Sequence, residues 1–314
     1  MDYQNKAVEV NRNIAKVIVG KEEVTKLVLT SIIAKGHVLL EDVPGTGKTM
    51  LAKTLAKSVS AQFSRIQFTP DLLPSDVTGI NYYNQKAGEF VFRQGPLFGN
   101  IILADEINRA TPRTQSALLE SMEERQVTVD GTTYELKEPF IVIATQNPLE
   151  TAGTYPLPEA QLDRFLMKIS VGYPGKDGEI EMINRFLTES PIEKVQSVCT
   201  QQDIINMQQE AKSVYVHPSI MSYVVDIVEA TRQHGNISIG VSPRGTLTMI
   251  NAARAYAYIE GRSYVVPEDI KILAEPVFAH RLVLKHGMAR QDNRTALIRT
   301  IVESVDVPTE EWDK

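Results

Sequence analysis

Lys48 and Thr49 stand directly behind a turn of Pro44, Gly45, Thr46 and Gly47, and that grouping can hold phosphate. Glycines let backbone N–H groups approach phosphate oxygens, and a helix beginning after them adds partial positive charge. Lys48 would reach the outer phosphates, and the Thr49 hydroxyl would sit on Mg²⁺. Asp105-Glu106 follows the apolar run Ile101-Ile102-Leu103-Ala104, so its carboxylates emerge from the end of a buried strand. There Asp105 would hold the metal, through water, and Glu106 would act as base or orient an attacking water. The chemistry these residues point to is nucleoside triphosphate hydrolysis. The nucleotide-binding stretch runs Pro44, Gly45, Thr46, Gly47, Lys48, Thr49, Met50, with Asp105 facing it and Thr49 and Asp105 as metal ligands. The pattern G-x-x-x-x-G-K-[ST] expects glycine at position 42, where the chain has Asp42, whose carboxylate must point away from phosphate. A plain glycine-rich turn with an exposed lysine is the bland alternative.

Four further residues are candidates, each with a structural reading beside the functional one. Asn147, past another strand end, would orient water through a neutral amide; a turn asparagine before Pro148 fits the same residues. Arg164 would meet an anion, or pair with Asp163 or Glu159. Arg244 sits in the first turn of a helix opened by Ser242-Pro243, where the helix dipole disfavours a cation, which suggests an anion to meet; a surface arginine curling away is the alternative. Arg109 is a weaker candidate of the same kind. Ile18, Val19 and Gly20, between two helices, would lie against a nucleotide base or form an ordinary helix–helix turn.

The elements that must position these groups follow from periodicity. Ala7, Val10, Ile14 and Val17 mark an opening amphipathic helix, and Val24, Leu27, Val28, Ser31 and Ile32 a second. Five strands are expected: Val38–Leu40, Phe63–Phe68, Ile101–Ala104, Phe140–Ala144 and Met167–Val171. Hairpins are predicted over 82–92, turning at Lys86 to Gly88, and over 125–136, turning at Asp130-Gly131. Thr111-Pro112 would cap a helix that buries Leu118, Leu119 and Met122. After Gly172-Tyr173-Pro174-Gly175, which reads as a hinge, the pattern is helical. Ile180, Ile183 and Leu187 are expected inward on the first of these helices, and helices open near Thr200, Pro218, Ser242 and Pro267. The division is an α/β nucleotide-binding domain with its N-terminal helix over 1–174 and a small helical domain over 175–314.

A net charge of −6 gives no basic footprint for nucleic acid. The lone Cys199 allows no internal disulfide, no signal-peptide core or membrane-length apolar run is present, and a reducing cytoplasm is the expected compartment. The five histidines show no ligand spacing.

Taken together, VPGTGKT, IILADEINRATPRTQSALLESMEE, ATQNP, LPEAQLDRF and VSPRG stand in one order and resemble the MoxR family of AAA+ ATPases. The resemblance runs from Ile18-Val19-Gly20 to Val302 and the Val307-Pro308 tail. It implies an α/β fold, a P-loop AAA+ core with a five-stranded parallel sheet followed by a small all-helical lid. The hairpin at 82–92 matches the helix-2 insertion of its clade, and that at 125–136 the pre-sensor-1 insertion. The resemblance implies Walker A at Lys48 and Thr49, Walker B at Asp105 and Glu106, sensor 1 at Asn147 and sensor 2 at Arg244. It implies an arginine finger at Arg164 that reaches the ATP of a neighbouring subunit in a hexameric ring. It further implies ATP and Mg²⁺, chaperone-like remodelling or maturation of protein complexes, and von Willebrand factor A domain partners. A nucleic-acid motor is the alternative, disfavoured because the tip Thr128 to Thr132 has no lysine or arginine. A nucleotide switch without turnover is a third, disfavoured by Glu106 together with both arginines.

Overall fold

The computed structural model describes residues 3–41, 45–148, 153–187, 190–285 and 291–308. Asp42 and Pro44 lie outside the described residues.

The five expected strands form one parallel sheet: β1 (Val38–Glu41), β2 (Phe63–Gln67), β3 (Ile101–Asp105), β4 (Ile141–Gln146) and β5 (Met167–Ser170), in the order β2-β3-β4-β1-β5. Successive side chains of a strand leave on opposite faces, so the inner strands β1, β3 and β4 each feed two cores. Val38, Leu40, Ile101, Leu103, Ile141 and Ile143 face one cluster, while Leu39, Ile102, Ala104, Val142 and Ala144 face the other. On the first face lie α1 (Tyr3–Ala15), α2 (Glu22–Ile33) and α3 (Lys48–Ser58), burying Ala7, Val10, Ile14, Val28, Leu51 and Leu55. On the second lies α4 (Pro112–Glu124), which buries Leu118, Leu119 and Met122 as its spacing predicts. Thr111 occupies its N-cap position, but no side-chain cap bond forms; its hydroxyl sits 3.4 Å from that of Thr114 instead.

Both hairpins are present, as Gly79–Asn84 with Glu89–Gln94 and as Gln126–Val129 with Thr132–Glu135. The second turns at Asp130 (φ 49°) and Gly131 (φ 80°), the left-handed pair that a two-residue turn needs. Phe92 stacks on Tyr134 with ring centroids 4.1 Å apart, and the Asn81 amide donates to Asp130 at 2.8 Å, so the two hairpins pack on each other.

Beyond residue 175 come α5 (Lys176–Phe186), α6 (Gln201–Ala211), α7 (Pro218–Gln233), α8 (Pro243–Ile259), α9 (Pro267–Phe278) and α10 (Gln291–Ser304). A two-stranded antiparallel ribbon, Ile237–Ile239 with Val283–Leu284, accompanies them. Thr200 and Asp203 form the expected capping box on α6, and Ser242 caps α8 by accepting from the Gly245 N–H at 3.2 Å. The helical core, with Ile220, Val224, Ile227 and Val228 inside, is continuous with the cluster on the first face of the sheet.

One expectation fails here. No described residue of α5 is buried, and Ile180, Ile183 and Leu187 are 49%, 53% and 72% exposed. The 3.6-residue repeat identifies an apolar face but not what covers it, and none of the described residues buries this one.

Candidate functional site

The C-terminal ends of the strands converge on one cavity of about 420 Å³, where ligands bind in open α/β sheets. One wall is Gly45, Gly47, Lys48, Thr49 and Met50; the other is Arg65, Gln67, Asp105, Glu106, Thr145, Gln146 and Asn147. A larger groove of about 580 Å³ lies between α9 and α10, away from all of these residues.

The loop reaches α3 through Gly45 (φ 86°) and Gly47 (φ 88°), the latter in the N-cap position. Both conformations are ones that L side chains resist, which explains glycine at each. α3 thus starts at the cavity with Gly47 at its N-cap, no side-chain cap bond, and Lys48 and Thr49 as its first two helical residues. Ile18 Cδ1 lies 4.0 Å from where a Cβ on Gly47 would stand, and Val19 Cγ1 lies 3.9 Å from the equivalent point on Gly178. The Ile18–Gly20 segment therefore lies between the glycine loop and the start of α5.

The two carboxylates are held apart and aimed by neighbours. Asp105 Oδ1 accepts from the Thr145 hydroxyl at 2.6 Å, and its Oδ2 pairs with Arg65 at 2.7 Å. Glu106 takes a left-handed backbone (φ 57°, ψ 50°), unusual for a residue with a side chain. Its N–H donates to the same Thr145 hydroxyl at 2.9 Å, which locks that turn. Glu106 Oε2 accepts from the Gln67 amide at 2.9 Å and from Arg109 at 3.2 Å. Arg65 also donates to Gln67 Oε1 at 2.8 Å, so β2 presents one connected pair of donors to both carboxylates. Asn147 is 7% exposed and lines the same cavity.

Beneath the loop, Glu41 at the end of β1 is 4% exposed. It pairs with Lys168 of β5 at 2.7 Å and accepts from Gln146 of β4 at 2.6 Å, tying three strand ends together. A buried carboxylate held this way is neutralised and hydrogen-bonded.

Arg164 and Arg244 do not line the cavity. Arg164 pairs with Glu123 at 3.2 Å and donates to the Leu119 carbonyl at 2.7 Å, while Arg244 pairs with the other oxygen of Glu123 at 3.0 Å. The expected partners of Arg164, Asp163 and Glu159, are not the ones it takes. Asp163 belongs to Arg281, at 2.7 Å, because Arg281 is buried from the helical side and needs a counter-ion there. Arg281 also donates to the carbonyls of Asp163, Phe165 and Val277, and burial pulls its pKa down to about 10 against the opposing pull of Asp163. The chain on both sides of Arg164 is therefore anchored by the helical domain.

Sequence reasoning missed Arg65, Gln67, Thr145 and Glu41. Arg65 and Gln67, two apart on a short strand, share one side of it, a signal that was available. Thr145 and Glu41 carried none.

Residues 37–167 match the ATPase family associated with various cellular activities (AAA), and residues 229–304 match the AAA lid domain. The chain is 52% identical over 307 residues to the uncharacterized protein YeaC of Bacillus subtilis, covering 97% of this chain and 95% of that one. It is 42% identical to chaperone MoxR1 of Mycobacterium tuberculosis, over 94% of this chain and 80% of that one. It is 32% identical to protein MoxR of Methylorubrum extorquens, over 98% and 96%. A crystal structure of a candidate ATPase from Cytophaga hutchinsonii superposes with a TM-score of 0.90 at 41% identity, covering 98% of this chain and 96% of that one.

Proposed function

This chain belongs to the MoxR family of AAA+ ATPases, and from that premise we propose that it binds ATP in the 420 Å³ cavity, hydrolyses it, and uses the cycle to remodel or mature a protein complex. The observation that carries the hydrolysis reading is the joint placement of a glycine-opened helix N-terminus, Lys48, and the Thr145-locked pair Asp105 and Glu106 around one cavity.

In this reading the backbone of Gly45 to Met50 and Lys48 take the phosphates, and the Ile18–Gly20 segment lies along the base. Thr49 and Asp105 would hold Mg²⁺. Both are hard oxygen donors on one cavity, and among the described residues no cluster of three His, Cys, Asp or Glu side chains competes for a metal. When bound, Mg²⁺ would neutralise phosphate charge. Glu106 accepts the proton of the attacking water, and Asn147 orients that water without altering the charge. Arg164, which shares Glu123 with the sensor-2 candidate Arg244, is offered to the ATP of a neighbouring subunit; the two side chains are 30% and 51% exposed. A ring of subunits, hexameric by family resemblance, would then complete each site. The lid would turn about 172–175 as ATP is bound and spent, and the paired hairpins would pass that motion to a client. A relative named chaperone MoxR1 supports the client-directed reading. A von Willebrand factor A domain protein is the partner class that family resemblance offers.

The test uses two variants. Lys48→Ala should bind no nucleotide, and Glu106→Gln should bind ATP without releasing phosphate. Wild-type turnover by Glu106→Gln would contradict the assignment. Affinity capture with Glu106→Gln and ATP should then recover a von Willebrand factor A domain protein; recovery of nucleic acid, lost at high salt, would favour a motor.

A further inference from the structure

Resting on the nucleotide reading above, we propose that Arg65 is a resident counter-ion of Asp105 that competes with the divalent cation, and so sets the Mg²⁺ concentration at which nucleotide is held. The two oxygens of Asp105 are held very differently. Oδ1 accepts from Thr145, which is 1% exposed and fixed by its second bond to the Glu106 N–H. Oδ2 pairs at 2.7 Å with Arg65, whose side chain is 48% exposed. Only the second partner can leave without disturbing the sheet. Arg65 lies on β2, the edge strand beside β3, and its half-exposed side chain gives the guanidinium room to move. It also keeps a second acceptor, Gln67 Oε1 at 2.8 Å, when Asp105 is taken.

The charge balance makes the competition direct. Lys48, Arg65 and Arg109 already face Asp105 and Glu106 around this cavity and its rim. A divalent ion beside Asp105 adds two positive charges within a few ångströms of Arg65, in a cleft where charge interactions exceed their value in bulk water. Asp105 cannot give Oδ2 fully to Arg65 and to metal-bound water together. Loading the cation therefore means weakening a good ion pair first.

The experiment titrates Mg²⁺ against a fluorescent ADP analogue at fixed protein concentration, with a parallel measurement in EDTA. In Arg65→Met the Mg²⁺ half-saturation should fall by about two- to five-fold, the range that a partly exposed ion pair supports. Metal-free ADP binding should be unchanged, which also reports an intact fold. Arg65→Lys, which keeps the charge, should restore a requirement near that of the wild type. A half-saturation in Arg65→Met equal to or above wild type would overturn the proposal, because Arg65 would then be neutral toward the metal or assist it. So would loss of ADP binding in EDTA, because Arg65 would then belong to the nucleotide cradle. Wild-type protein that binds no ADP with or without Mg²⁺ would instead overturn the nucleotide reading, and this inference with it.

Discussion

Replacing Thr145 by valine removes a single hydroxyl from a position 1% exposed while keeping the shape of the side chain. Two bonds disappear: the donation to Asp105 Oδ1 at 2.6 Å and the acceptance from the Glu106 N–H at 2.9 Å. A hydrogen bond to an ionised group contributes about 1.5–3 kcal/mol, and an amide left without an acceptor costs about 1–3 kcal/mol more. Water entering from the adjoining cavity would recover part of this, so a loss of about 2–4 kcal/mol of unfolding free energy is expected. The catalytic loss has its own basis. Thr145 holds the left-handed turn that aims Glu106, and that turn relaxes without it. If the about 1.5–3 kcal/mol of the Asp105 bond is forfeited at the transition state, phosphate release slows roughly ten- to hundredfold, at about 1.36 kcal/mol per decade. Steady-state phosphate release with ATP in excess, alongside urea unfolding, reads both quantities. Thr145→Ser should retain most activity. A folded Thr145→Val protein that turns over at the wild-type rate would refute the claim that this hydroxyl organises the acidic pair.

Two further predictions concern groups outside the cavity. His37 is buried; its Nε2 lies 3.0 Å from the Met122 carbonyl, and its Nδ1 accepts from the Val142 N–H, while burial and then Arg125 push its pKa from 6.5 down to about 3. The unfolded chain takes up a proton below pH 6.5 and the folded chain does not, so this contribution is whole above pH 6.5 and shrinks as pH falls toward 3. It amounts to about 2 kcal/mol lost at pH 5, and His280 shifts the same way. Urea midpoints at pH 7 and pH 5 should show the drop, and His37→Gln should flatten it; equal slopes in the two proteins would contradict the assignment. Cys199 is 4% exposed, and burial, reinforced by Asp203, pushes its thiol up to about 12. A disulfide reagent at pH 8 should therefore leave it unmodified until denaturant is added, and rapid labelling of the native protein would show that the pocket around it opens.

How much was legible follows the range of each interaction. The glycine loop, Lys48, Thr49, Asp105 and Glu106 are announced by neighbours in the chain, since a strand, a turn and a helix start lie within a few residues of each other. Asn147 is announced in the same way. The sheet strands were legible as short apolar runs or, at Phe63–Phe68, as an alternation, and the structure keeps all five. Arg65 and Gln67 are marked in the sequence only as polar neighbours on one side of a strand, and Thr145 not at all; what they hold depends on strand order, since β2 meets β3, and β3 meets β4, only once the sheet has assembled. Arg164 illustrates the same limit. Nearby acids suggested Asp163 or Glu159, but Arg281, 118 residues further on, claims Asp163 and leaves Arg164 to Glu123. On α5 the pattern showed an apolar face, and the described residues leave it open.

The measurement that bears most directly on the central claim, a site completed between subunits, is a mixing experiment. Glu106→Gln and Arg164→Ala should each be nearly without turnover when alone. Mixed before assembly, some interfaces join an intact Glu106 in one subunit to an intact Arg164 in the next, and phosphate release should reappear. A mixture that stays as inactive as its parents, while the wild type turns over under the same conditions, would contradict the account.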